Sequence, residues 1–414
     1  MDEIKRRFGF GRLGHNTVLF ASAMGVRAVI QAAYLILLSR WMGPEDYGYF
    51  AGSVAAAVIL SPLAGWGVSF LVASRVGRDR SSMGSLWATA LVQIGFSGLV
   101  LVGLVMLASA GWLDQRVSTE AMLMLAVAEL VALPVANVAA GLALAADKSV
   151  VAAVATSLVP ACRLVSALLL VLAGSQSAPD HIAGMHLLGS AVGAMAACAL
   201  MVRIGARPEW GTRLPLIGSA GVGMSHALAT LVGVSYLEID KVILLQLVDA
   251  ATAGAYTVAF RAVALLGLPV TALVATSMPR LLAAREGDNK TALHRAISRS
   301  VASYALVAIA AALLVAPLLP LVFGAVYADA SGYMLALAPW IGFFALHQGL
   351  GLRLTTSGWQ DARLLIESMG LLLLLPLNLC WIPQLGAFGA VLSLLAAEAA
   401  MILAFAWVVA RKLR

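Results

Sequence analysis

Apolar runs about as long as a lipid bilayer is thick recur along this whole chain, and they constrain its fold more than any other feature. They fall at 17–39, 48–72, 84–108, 120–144, 150–173, 182–202, 217–245, 254–279, 298–322, 333–356, 364–382 and 386–410. A hydrocarbon core takes about 20 helical residues, so an all-α polytopic membrane protein with twelve transmembrane helices is expected. Lipid offers backbone groups no hydrogen bonds, which leaves only helices or closed barrels as spanning structures. The alternating segments of barrel strands, roughly ten residues each, are not found. Only 11% of the 414 residues are charged and 62% are hydrophobic, too little polar surface for a water-soluble enzyme of this length.

The basic residues set the orientation. Lys5, Arg6, Arg7 and Arg12 precede the first run, and Arg75, Arg78 and Arg80 follow the second. Lys148 lies between runs four and five, and Arg203, Arg207 and Arg213 between six and seven. Arg280, Arg285, Lys290, Arg295 and Arg299 separate eight from nine, Arg363 separates ten from eleven, and Arg411, Lys412 and Arg414 follow the last. The opposite side holds only Arg40 and Arg116. Because positive loops stay in the cytoplasm, both termini are expected there, and that requires an even number of spans. The basic start ahead of a long apolar run reads as an uncleaved first helix. The formal net charge of +7 is then chiefly an orientation signal. Dispersed over seven segments, it makes no footprint for nucleic acid.

The polar stretch 203–216 divides six spans from six. This gives a cytoplasmic N-terminus 1–16, an N-lobe 17–202, a cytoplasmic linker 203–216, a C-lobe 217–410 and a tail 411–414. A shift of 206 positions places Leu38 on Leu244, Gly48 on Gly254 and Phe50 on Tyr256, at the same place in each half. Two parallel repeats of this kind predict two six-helix lobes around a central cavity. Cys162, Cys198 and Cys380 lie inside apolar runs and read as buried small hydrophobes.

Five basic residues remain inside spans: Arg27, Arg163, Lys241, Arg261 and Arg353. A charge at the bilayer centre costs at least ~2.5 kcal/mol, so each should face protein or a wet cavity. Arg27 lies mid-span, with Gln31 and Tyr34 at i+4 and i+7 on one stripe. Guanidinium binds phosphate oxygens in bidentate fashion, which makes Arg27, Gln31, Arg163 and Arg261 candidates for holding an anionic substrate. The alternative for these arginines is interhelical pairing with Glu129, Glu398 or backbone carbonyls. Asp240 and Lys241, beside Glu238, are candidates for a gate latched to the first or second helix, or for a static salt bridge. Glu129 and Glu398 are mid-depth carboxyls that can couple an ion by changing protonation, and His226 and His347 are further titratable groups. Glu367, a turn from the cytoplasm, is expected to snorkel to it. No G-x-x-x-x-G-K-[ST] motif, metal-ligand cluster or long loop occurs. Neither a cofactor nor a metal is expected, and no catalytic apparatus.

The stretch Leu37-Leu38-Ser39-Arg40-Trp41-Met42-Gly43-Pro44-Glu45-Asp46-Tyr47-Gly48-Tyr49-Phe50 resembles the turn between helices 1 and 2 of bacterial Wzx-type (O-antigen, exopolysaccharide) flippases. These belong to the multidrug/oligosaccharidyl-lipid/polysaccharide exporter superfamily. Ile239 through Leu244 and Ala253-Gly254-Ala255-Tyr256 echo it, with Asp249-Ala250-Ala251-Thr252 replacing the Gly-Pro turn. The resemblance implies a bacterial inner-membrane transporter moving undecaprenyl-pyrophosphate-linked oligosaccharide to the outer leaflet through a cationic cavity, in some relatives driven by protons or sodium. Membrane lipids and polysaccharide polymerase or assembly proteins are the implied partners. The competing expectation is an ion-coupled drug or small-molecule antiporter of the same superfamily, whose cavity would be acidic.

Overall fold

The computed structural model describes residues 12–76, 79–112, 117–174, 178–211, 220–283 and 288–412. Lys5, Arg6, Arg7, Arg78, Arg116, Arg213, Arg285 and Arg414 lie outside the described residues. So do most of the expected N-terminal segment and the ends of the linker and tail. Among the described residues there are helices and turns but no strand.

Helix α1 (Arg12–Leu60) is broken at Gly43, whose φ of 77° and ψ of 173° form a backbone that glycine adopts at little cost. Pro44 opens the arm beyond the break, where a missing N–H would have no partner anyway. The Gly-Pro pair therefore ends the first span and starts the second with no loop between them. The turn Ser61–Leu63 and α2 (Val68–Val76) complete the second span. In the echo of this corner, α8 (Ala220–Leu247) gives way to α9 (Ala250–Ala283) with different chemistry. There Asp249 accepts from the Thr252 amide at 2.7 Å and the Thr252 hydroxyl at 2.8 Å, an N-cap in place of Gly-Pro.

Between these corners lie α3 (Met83–Trp112), α4 (Thr119–Val127), α5 (Leu133–Ala145), α6 (Ser149–Leu172) and α7 (Pro179–Arg203). After α9 come α10 (Asp288–Val315), α11 (Leu319–Phe323), α12 (Ala328–Thr356), α13 (Gln360–Leu385) and α14 (Ala387–Lys412). Among the described residues, each of the twelve expected spans falls on one or more of these helical segments. Nine helices among the described residues are long and apolar enough to cross a membrane. The packing is that of a membrane protein. Alanines such as Ala57, Ala139, Ala197 and Ala312 are fully buried, while Leu107, Leu169, Leu314 and Leu403 point outward. Small residues let helices approach, and lipid takes the large apolar side chains. Cys380 is exposed rather than buried, because its face of α13 is one of those outward faces.

The chain divides into two compact units, Met1–Trp41 with Ser53–Leu231 and Met42–Gly52 with Val232–Arg414. Within the first unit, the connections expected on one side meet at one end. Arg80 pairs with Asp147 at 2.5 Å, Lys148 donates to the Ile204 carbonyl at 2.9 Å, and the Glu209 amide to Gly84 at 3.0 Å. At the other end Ser118, which caps α4, donates to Asp180. In the second unit, Lys290 donates to the Thr356 carbonyl at 3.0 Å and Lys412 lies 5.1 Å over the Trp359 ring. This gathering is what an alternating up-down order of spans requires.

Two local devices position the polar groups discussed below. Pro134 brings no N–H to the preceding turn, and the helix widens there into a π turn, Ala128–Ala132, that joins α4 to α5. Gly189 and Gly193 on α7 form a G-x-x-x-G strip against α6. A Cβ at Gly189 would sit 2.7 Å from the Arg163 Cα and 2.8 Å from its N. Gly→Ala in a helix ordinarily stabilises by up to ~1 kcal/mol. Here Gly189→Ala is expected to reverse that sign and destabilise by about 1–3 kcal/mol through overpacking. It should lower the unfolding midpoint of the detergent-solubilised protein, and an unchanged or raised midpoint would contradict the close approach.

Candidate functional site

Spans four, five and six of the first unit build a buried polar network. Glu129 sits in the π turn, and only 1% of its side chain is exposed. Its Oε1 lies 2.8 Å from the Arg163 Nη2 of α6 and 2.7 Å from the His186 Nε2 of α7. The Arg163 Nε donates to the Ser190 hydroxyl at 2.8 Å, and that hydroxyl donates to the His186 carbonyl at 2.6 Å. On α1, the Tyr34 hydroxyl meets the His186 Nδ1 at 2.7 Å. Polar groups out of reach of water need such partners. The Arg163 Nη2 makes its ion pair without a well-aligned hydrogen bond.

Arg27 lies on α1 two turns before Tyr34. It is half-buried and has no hydrogen bond or ion pair among the described residues. The charge that faces it is the like charge of Arg163. Among the described residues Glu129 is the one carboxylate in the network and Arg163 already pairs with it, which leaves Arg27 as a cation without a counter-charge there. Gln31, one turn from Arg27, is exposed.

The other expected site residues belong to the second unit. Arg261 on α9 donates to Glu238 on α8 at 2.9 Å, and 41% of its side chain is exposed. Asp240 and Lys241 are buried. The Lys241 Nζ lies 2.9 Å from the Asp240 Oδ1 and 3.5 Å above the Phe260 ring, and it also donates to the Leu237 carbonyl. The Tyr256 hydroxyl donates to the Asp240 Oδ2 at 2.5 Å. Asp240 and Lys241 are thus held by α8 and α9 themselves. From the start of the second span, Tyr47 faces the Arg261–Glu238 pair. Beside it, Gly48 and Gly254, the echoed positions, abut so closely that a Cβ on either would strike the other segment's backbone at Ala250 or Pro44.

Glu398 is in neither cluster. On α14, it meets the His347 Nδ1 of α12 at 2.9 Å. The other ring nitrogen, Nε2, lies 3.4 Å from the Glu367 Oε1 of α13, which also accepts from the Arg363 Nε at 2.7 Å. Glu367 does not snorkel: Arg363 one turn earlier and His347 across the helix interface give it partners inside the protein. Sequence reasoning overlooked His186, 57 residues from Glu129 and in no local motif. Its available signal was Ser190 at i+4, a short polar stripe in an apolar run like that of Arg27 and Gln31.

The fold is that of a multi-pass membrane transporter. By structure the chain resembles an inward-facing multidrug resistance MATE family transporter of the MOP superfamily, with a TM-score of 0.74 at 16% identity over 92% of this chain and 93% of that one. It also resembles the lipid II flippase MurJ in an inward closed conformation, at 0.72 and 12% over 95% and 87%. A third similar structure is the MATE multidrug transporter DinF-BH in complex with R6G, at 0.71 and 13% over 97% and 95%. No curated protein matches the chain by sequence. The sequence profile of the polysaccharide biosynthesis protein family matches residues 13–284, and the chain belongs to that family.

Removing the carboxylate of a buried ion pair strands the cation, typically at about 3–5 kcal/mol. Glu129→Gln is therefore expected to lower the stability of the purified protein by that order. Glu129→Gln with Arg163→Gln should recover a good part of the loss. A double mutant as unstable as the sum of the single ones would show that the two side chains are not coupled.

Proposed function

We propose that this protein flips undecaprenyl-pyrophosphate-linked oligosaccharide repeat units from the inner to the outer leaflet of the bacterial inner membrane by alternating access. Both termini are cytoplasmic, 17–202 and 217–410 form the two lobes, and 203–216 links them. The reading rests on family membership and on the transporter fold. The observation that carries it to an anionic lipid headgroup is Arg27. A mid-span guanidinium with no protein anion among the described residues, beside an arginine already neutralised by Glu129, is a place for a phosphate oxygen brought by a substrate. Arg163, with its Nη2 poorly hydrogen-bonded, and Gln31 flank it. Arg261, part-exposed and tied to Glu238, is proposed as a second contact, and Asp240 and Lys241 as the fixed frame of a gate around Tyr47. Exporters of cationic drugs need the opposite charge, so Arg27 argues against that alternative.

Deleting the gene in a strain that makes its glycan should abolish surface polymer and leave lipid-linked repeat units in the cytoplasmic leaflet. A charge-assisted hydrogen bond is worth about 1.5–3 kcal/mol, so Arg27→Ala should cut export on the order of tenfold to a hundredfold at normal expression. Arg27→Lys, which keeps the charge but not the fork, should restore part of it. Full complementation by Arg27→Ala would remove the arginine from substrate binding.

A further inference from the structure

The histidines of the two networks differ in what their ring nitrogens face. His186 meets one carboxylate, Glu129, through Nε2 and the Tyr34 hydroxyl through Nδ1. A neutral imidazole with its proton on Nε2 satisfies both, because the phenol can donate to Nδ1. His347 meets a carboxylate on each side, Glu398 at Nδ1 and Glu367 at Nε2. A carboxylate only accepts, and a neutral imidazole has one N–H. The second contact therefore needs one more proton, on the ring or on one of the carboxyls.

We propose that His347, Glu367 and Glu398 form a proton-binding site in the second unit, and that the coupling ion is a proton held there. The coupling role rests on the transporter reading above; the proton-loaded triad does not. Charge counting supports the assignment. With the proton bound, His347, Glu367, Glu398 and Arg363 sum to zero; without it they leave one unmatched negative charge where burial penalises it. The Tyr236 hydroxyl of α8 faces Glu398, and the groups facing His347 itself come from two neighbouring helices. From α14 come Glu398 and the Phe405 ring, centred 5.1 Å away, and from α13 comes Glu367, with Arg363 behind it. Helices α9 and α10 bring no charged side chain into ion-pair reach of the ring among the described residues.

The geometry also indicates which contact gives way. The Glu398 contact is the shorter, at 2.9 Å against 3.4 Å, and Glu367 keeps Arg363 as a partner at 2.7 Å. On release, the Nε2 proton passes to water and the neutral ring keeps its Nδ1–H toward Glu398. The bare Nε2 lone pair then faces the Glu367 carboxylate. Their repulsion drives α13 from α12 and ties protonation to helix movement.

The test uses the full chain in lipid nanodiscs and needs no substrate. With 15N-labelled histidine, one of the six histidines should be doubly protonated at about pH 8, where free imidazole is almost all neutral. Failing that, a protonated-carboxyl infrared band should be present that vanishes in Glu367→Gln or Glu398→Gln. Either signal should be lost in His347→Gln. Hydrogen–deuterium exchange, corrected for its intrinsic pH dependence, should show protection of α12–α14 falling several-fold between about pH 6 and pH 9 in the wild type. In His347→Gln it should be flat, with Glu367→Gln as a second variant should the first not fold. A neutral His347 between two ionised carboxylates would overturn the proposal. So would a pH response in either variant identical to that of the wild type, as a purely structural triad predicts. A proton-loaded triad together with normal glycan export in the deletion strain would sink the flippase reading and leave the site standing.

Discussion

A charge inside a bilayer has to be matched by a protein partner or face a wet cavity, and much of the polar architecture of this chain follows from that requirement. Glu129 could not stay buried without Arg163 and His186, and those lie on two other helices. The pairing thus decides how spans four, five and six face one another. In the second unit the same demand joins Glu398, His347 and Glu367 across spans ten, eleven and twelve. Hydrophobic burial cannot supply this specificity, since lipid is as apolar as a leucine-lined helix face.

Satisfying such pairs calls for local irregularities that a uniform apolar helix lacks. The π turn before Pro134 aims Glu129, and Gly189 lets α7 come close enough for Ser190 to reach the Arg163 Nε. Gly43 and Asp249 make the two equivalent corners by unrelated means, one through a positive φ and the other through a side-chain cap. The repeat is therefore conserved in shape where it has drifted in chemistry. The networks follow the same logic. The fourth span of each half supplies one member of a buried His–Glu pair and the sixth supplies the other, but the residue types are exchanged between the halves. In the first unit an arginine balances the network's carboxylate, and in the second a histidine lies between two carboxylates.

The helical spans were legible because they depend on hydropathy along the chain. The interest of Arg27, Arg163, Arg261, Glu129 and Glu398 was legible too, since the membrane penalises each of them wherever it lands. Their partners were not. Nothing local connects Glu129 to His186, and Glu367 looked like a residue near enough to the aqueous edge to escape to it. Arg163 could as well have faced a cavity as a carboxylate until its helix packed against Gly189.

By itself, then, the sequence determined that the chain is a series of apolar helices, where they fall along it, and which side chains could not be left facing lipid. Those outcomes rest on transfer free energies that each segment carries with it. Only tertiary structure decided that Arg163 is neutralised while Arg27 has no ion pair among the described residues, that Asp240 and Lys241 are locked into their own helix pair, and that His347 lies between two carboxylates. Such facts depend on contacts of a few ångströms between helices far apart in the chain. Helix rotation and close approach set them, and hydropathy does not encode either.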